Sequence, residues 1–153
     1  MRNQLPRFCR ASAALLLLPL SLLAACGGGG DAGTASAPPE PAPTMVTAAM
    51  LSRGGEVYKV NCVACHGPLG KGDGPSAATL DPKPRDHSNR AYMDGLADQQ
   101  IADTIVQGGA PRGYPNMPSN PHIKGDDLAA LVAHVRTLSR GPEGVKMVDL
   151  KLQ

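Results

Sequence analysis

Cys62-Val63-Ala64-Cys65-His66 is the stretch on which the reading of this chain turns. Two thiols three positions apart are followed at once by an imidazole. A redox dithiol of the thioredoxin kind needs a surrounding βαβ pattern, and no strand pattern here is strong enough to build a sheet. A zinc site needs a second pair of ligands at matching spacing, which the sequence lacks. A disulfide across so short a loop stabilises little in the loop-entropy picture. What remains is covalent attachment of a c-type haem. The two thiols add to the two vinyl groups on one side of a porphyrin, and His66 comes up beneath the iron as its proximal ligand.

Upstream, the first residues behave as a targeting segment rather than as folded protein. Arg2, Arg7 and Arg10 precede an apolar run, Ala11 to Leu23, which is followed by the small residues Ala24-Ala25. That order (charge, short apolar core, small residues) is a secretory signal, and Pro19 and its shortness unfit it for a permanent span. Cys26 after Leu23-Ala24-Ala25 resembles the lipobox of bacterial lipoproteins, in which the cysteine becomes the acylated first residue. The whole chain carries a formal charge of +2, and removing three arginines and no acid leaves −1. The basic excess belongs to the signal, which excludes a nucleic-acid-seeking protein.

The expected organisation is therefore a signal peptide over 1–25, a lipidated cysteine and Gly/Ala/Pro-rich linker over 26–44, a folded domain over 45–141, and a tail over 142–153 with no assigned function. Residues 27–44 reach about 25 Å as a coil, or about 55 Å when stretched towards polyproline geometry. Helices are expected at about Ala48–Asn61, Asp98–Gln107 and Asp126–Ser139. The last carries Leu128, Leu131, Val132, Val135 and Leu138 as an apolar stripe, with Asp126 and Asp127 at the positive end of its dipole. Gly108-Gly109 stops the second. Pro-rich loops fill 67–91 and 108–125. Only Tyr58, Tyr92 and Tyr114 remain as aromatics after the signal, and there is no Trp. A domain this small needs a staple, and a buried cofactor that the loops wrap supplies one.

Across roughly residues 48–140 the chain resembles class I cytochrome c domains. The residues that carry the resemblance are Gly54, Tyr58, the Cys62–Gly67 motif, Gly70-Lys-Gly-Asp-Gly-Pro75 and Asn116-Met117-Pro118. It implies an all-α fold of about three main helices and long loops around one haem c. In that family a loop methionine, commonly followed by proline, is the sixth ligand. Met117 holds that place, about fifty residues after His66. Met45, Met50, Met93 and Met147 are the other methionines weighed, and an open or histidine-ligated iron is the alternative. The resemblance also implies that the Pro75 carbonyl accepts from His66 Nδ1–H and that Tyr58 packs near the haem. His134 stands where the family usually carries an aromatic against the first helix. His87 and His122, in polar loops, read as solvated. Lys71, Lys83, Arg85 and Arg112 read as part of a mixed, solvated surface.

His/Met ligation implies a one-electron carrier held at the periplasmic face of the cell envelope by its anchor. Its partners would be a quinol-oxidising complex, an oxidase or a periplasmic dehydrogenase. A haem-based small-ligand sensor or enzyme with a displaceable methionine is the alternative. Gly27 after the lipidated cysteine suits the outer membrane by the enteric sorting rule, whereas a respiratory relay suits the inner.

Overall fold

Short-range hydrogen bonds set the ends of the helices. The computed structural model describes residues 44–150; the signal, Cys26, nearly all of the linker and the last three residues lie outside them. Thr47 caps α1 (Ala48–Asn61), its Oγ1 accepting from the Met50 N–H at 3.1 Å, the usual service of a threonine at a helix start. Cys62 ends α1, and one further turn, α2 (Val63–His66), follows directly. Asn89 caps a short α3 (Arg90–Asp94) by accepting from the Tyr92 N–H. Ala97 has no side-chain oxygen to cap α4 (Asp98–Gln107); instead the Gln100 Oε1 accepts from the Ala97 N–H at 2.9 Å. The longest helix among the described residues, α5 (Gly125–Arg140), opens with Asp126 and Asp127 in its first turn. The all-α fold and its three main helices are as the sequence implied, with α2 and α3 added in the intervening segments.

Packing is organised around α1 and α5. At Gly54 the two helices approach so closely that a Cβ would run into the Ala130 carbonyl. Only a residue with no side chain permits that approach. Around the crossing, α5 buries Leu128, Ala129, Ala130, Leu131, Val132, Ala133 and Val135, a wider face than the stripe alone. Ile101, Ala102 and Ile105 of α4 and Met93 of α3 join the same core.

Arg136 is the charged exception on this face, only 3% exposed. Its Nε donates to Asp98 Oδ1 at 2.6 Å, and its two other nitrogens reach the carbonyls of Met93 and Leu96. One guanidinium thus ties α5 to the end of α3 and the start of α4, with its donors satisfied as a buried cation requires. Asp98 Oδ2 in turn accepts from the Asp149 N–H at 2.9 Å. That bond anchors a segment to which the sequence assigned no role. A two-residue strand, β1 (Thr44–Met45), pairs antiparallel with β2 (Met147–Val148), and Val145, Val148 and Leu150 are buried. Residues 142–150 therefore close one end of the core.

Substituting Gly54→Ala should cost about 2–3 kcal/mol through the forced separation of α1 and α5. Chemical denaturation of the matured protein measures it. An unchanged midpoint would mean that the crossing is not tight.

Candidate haem-binding site

The motif sits on the junction of α1 and α2, so its geometry is inherited from a helix already fixed against α5. Cys62 is the residue between the two helices, and Cys65 and His66 lie on the single turn that follows. The next loop folds back on this turn. Gly74 N–H donates to the Cys65 carbonyl at 3.1 Å, Ser76 N–H to that of Ala64 at 2.9 Å, and Gly72 N–H to that of His66 at 2.9 Å.

His66 is buried, at 8% exposure, and its Nδ1 lies 3.1 Å from the Arg85 carbonyl oxygen. A carbonyl can only accept, so Nδ1 carries the proton and Nε2 keeps its lone pair. Burial pushes the ring's pKa down, and the hydrogen bond to Arg85 pushes the other way. The result is a neutral imidazole with its ligating nitrogen uncommitted, oriented as metal-binding histidines usually are.

Here the expectation for Pro75 is corrected. Arg85, not Pro75, supplies the carbonyl. The bonds from Gly74 and Ser76 hold the Pro75 segment behind α2. Meanwhile the 84–87 segment is drawn across His66: a Cβ at Gly72 would strike the Pro84 carbonyl, and His87 N–H donates to Gly70 O at 2.6 Å.

Cys62, Cys65 and His66 line one large cavity, which they share with Tyr58 and Met117. With space open to solvent counted, about 1180 Å³ there is free of protein atoms. Met117 lies in the loop between α4 and α5 and is half-buried. Its carbonyl accepts from Gly109 N–H at 3.0 Å and its N–H donates to the Tyr114 carbonyl at 3.1 Å. A Cβ at Gly109 would collide with both residues, so the second glycine of Gly108-Gly109 is needed for this closure, while the first, at φ +87°, ends α4. Tyr58 is 2% exposed and donates its O–H to the Gly67 carbonyl at 3.0 Å. It belongs to the core cluster and also lines the cavity.

The residues present fit a covalently held haem. Both thiols are free, and burial together with Cys65 pushes the Cys62 thiol up to about 11, unlike the depressed values of redox-active cysteines. Arg85 Nε and His87 Nδ1 are covered from solvent and without a protein partner, and both residues border this cavity. The orphaned Arg85 Nε on the cavity wall marks a place where a polar part of a ligand belongs. Among the described residues, no three His, Cys, Asp or Glu side chains converge as a site for a bare metal ion.

The sequence pattern of the cytochrome c family matches residues 51–139. The chain belongs to the cytochrome c family. Membership implies a covalent haem c and a role in electron transfer, and Cys62, Cys65 and His66 stand in the order of a CxxCH motif. No curated protein matches this cytochrome c. No helix among the described residues is long and apolar enough to cross a membrane.

Two further readings of this cytochrome c are revised. His87 is not a solvated loop residue: its ring stacks on that of His66, centroids 4.2 Å apart and planes 18° from parallel. Burial, with His66 and Arg85 nearby, pushes its pKa down to about 3, against the pull of Asp86. Arg85 is not part of a solvated surface. Its guanidinium lies 4.1 Å from the Tyr92 ring centroid and 5.0 Å from that of Tyr114, and it donates to the Tyr114 hydroxyl. Periodicity could reveal neither, since the loop has none. By contrast, His122 is exposed, and His134 lies where expected, 5.1 Å from the Tyr58 ring and beside Gly55. Met93 is 1% exposed and packed in the core, although it also borders the cavity.

Burial lowers the His134 pKa below its ordinary 6.5. Above 6.5 the ring is neutral folded or unfolded. As pH falls below that value the unfolded chain takes the proton first, so folding stability declines until the folded ring also titrates. His134→Phe should therefore lose less stability than the parent between pH 7 and pH 5, measured by denaturation at both. An equal loss would show that His134 carries no acid sensitivity. Tyr58→Phe, which leaves the Gly67 carbonyl with only the Gly70 N–H at 3.2 Å, should cost about 1 kcal/mol in the same assay.

Proposed function

We propose that the protein is a membrane-tethered, periplasmic one-electron carrier in which His66 and Met117 are the axial ligands of the haem iron. The observation that carries this reading is the hydrogen bond from His66 Nδ1 to the Arg85 carbonyl. It leaves Nε2 as a fixed, neutral donor on the same cavity wall as the two free thiols. When bound, a c-type haem supplies a reversible ferric/ferrous couple, and a thioether ligand biases it towards the ferrous state.

The chain's own residues do the rest. Cys62 and Cys65 hold the group at the end of α1, and His66 takes one axial side. Met117, on a loop closed by Gly109 and stiffened by Pro118, takes the other. Ile101, Ile105 and Val135 furnish apolar wall and limit water at the site. With both axial positions filled by protein, no position is left for oxygen or substrate. The protein relays electrons rather than transforming a small molecule.

Lipidation at Cys26 and the Gly/Ala/Pro linker confine the carrier to a shell beside membrane enzymes and raise its effective concentration for them. Several acyl chains hold stably where one binds only marginally. The partners that suit such a carrier are a quinol-oxidising complex, a terminal oxidase or a periplasmic dehydrogenase, met in turn or as a fixed assembly.

Met117→Ala, matured in a host with haem-attachment machinery, should change the optical spectrum from low-spin to high-spin or ligand-binding. An unaltered spectrum would transfer the sixth position to another residue, Met93 first, while acquired binding of carbon monoxide by the parent itself would favour the sensor reading. Cys26→Ser should move the protein from the membrane to the soluble periplasmic fraction. Retention in the membrane would refute the lipid tether.

A further inference from the structure

Resting on the reading of His66 as axial ligand, we infer that His87 is a positioning residue that fixes the rotational setting of the His66 ring. A hydrogen bond at Nδ1 holds one edge of an imidazole and still allows the ring to swing about its attachment. The His66 edge is held by the Arg85 carbonyl at 3.1 Å. One face of the same ring is covered by His87, at 4.2 Å between centroids and 18° between planes. An edge bond and a facing plane together remove the swing that either alone would permit.

His87 is itself held firmly enough to do this. Its N–H donates to the Gly70 carbonyl at 2.6 Å. Gly70, at φ +71°, has its missing Cβ directed at His87 Cβ and at Leu138. On its other flank Asp86 Oδ1 accepts from both the N–H and the hydroxyl of Ser88, at 2.8 and 2.6 Å. The covering ring therefore stands on a loop closed on both sides. Arg85 and His87 are two residues apart, so one short segment supplies the edge bond and the facing plane.

The orientation of an axial imidazole sets which iron orbitals it overlaps, and through them the pattern of unpaired spin over the porphyrin. The consequence is spectroscopic and does not depend on turnover. Compared with the parent, matured H87L and H87F should both keep covalent low-spin haem. H87F retains a flat ring against His66 and should preserve the order of the ferric haem-methyl proton resonances. H87L fills the space without a plane; its methyl resonances should reorder and its midpoint potential should shift. Should H87L fail to mature, H87M, unbranched and flat-faced nowhere, carries the same expectation. Parent-like resonances and potential in the variant lacking a plane would overturn the inference, as would H87F moving as far as that variant. A parent without low-spin haem would instead overturn the axial-ligand reading on which the inference rests.

Discussion

The close approach of α1 to α5 at Gly54 is the constraint on which the remaining geometry depends. With the Ala130 carbonyl where a Cβ would be, α1 cannot slide or rotate without losing contact. Its C-terminal end, and with it Cys62, is therefore set by a helix crossing rather than by a loop. From the other partner of the crossing, α5, Arg136 reaches across to Asp98 and to the carbonyls of Met93 and Leu96. That contact sets α4, and α4 ends in the Gly108-Gly109 turn that closes over Met117. The two sides of the cavity are held in register through one helix pair. A buried ion pair is a poor source of net stability, but removing one partner leaves a bare charge inside. Its service here is to fix positions.

A core built mainly of alanine, valine, leucine and isoleucine, with one buried tyrosine, encloses little apolar volume by itself. The large cavity is the other half of that observation. Residues that would be core in an ordinary small domain, Ile101, Ile105 and Val135, face it as wall. Stability of the folded state is thereby linked to retention of the group it holds. The proposed attachment through Cys62 and Cys65 would make that retention permanent, and the burial of His66 favours its neutral ring.

How much of this was legible in the sequence depended on whether a signal was local. The Gly108-Gly109 stop and the apolar spacing of α5 are signals contained within a few residues, and the structure places the ends of α4 and α5 within a residue of the expectation. Cys62, Cys65, His66 and Met117, singled out by motif and loop position, all line one cavity. What failed to show is tertiary. Pro75 looked suitable as the His66 partner, yet the carbonyl comes from Arg85, placed by contacts of Gly70 and Gly72 with a later stretch of loop. His87 reads as solvated because its neighbours Asp86, Ser88 and Asn89 are polar, and those polar groups serve the loop's own turn instead. Arg136 sits on an otherwise apolar face with partners some forty residues away. The alternation of Val148 and Leu150 is too brief to signal a strand without knowing that Thr44–Met45 lies beside it.

The central claim is that a haem is bonded to this chain through Cys62 and Cys65. Its most direct measurement is the intact mass of the protein matured in an attachment-competent host, followed by peptide mapping. The account predicts a mass greater than that of the processed polypeptide by one haem, with the whole increment on the peptide that contains residues 62–66. A polypeptide without that increment, from a host shown to mature other c-type cytochromes, would contradict it.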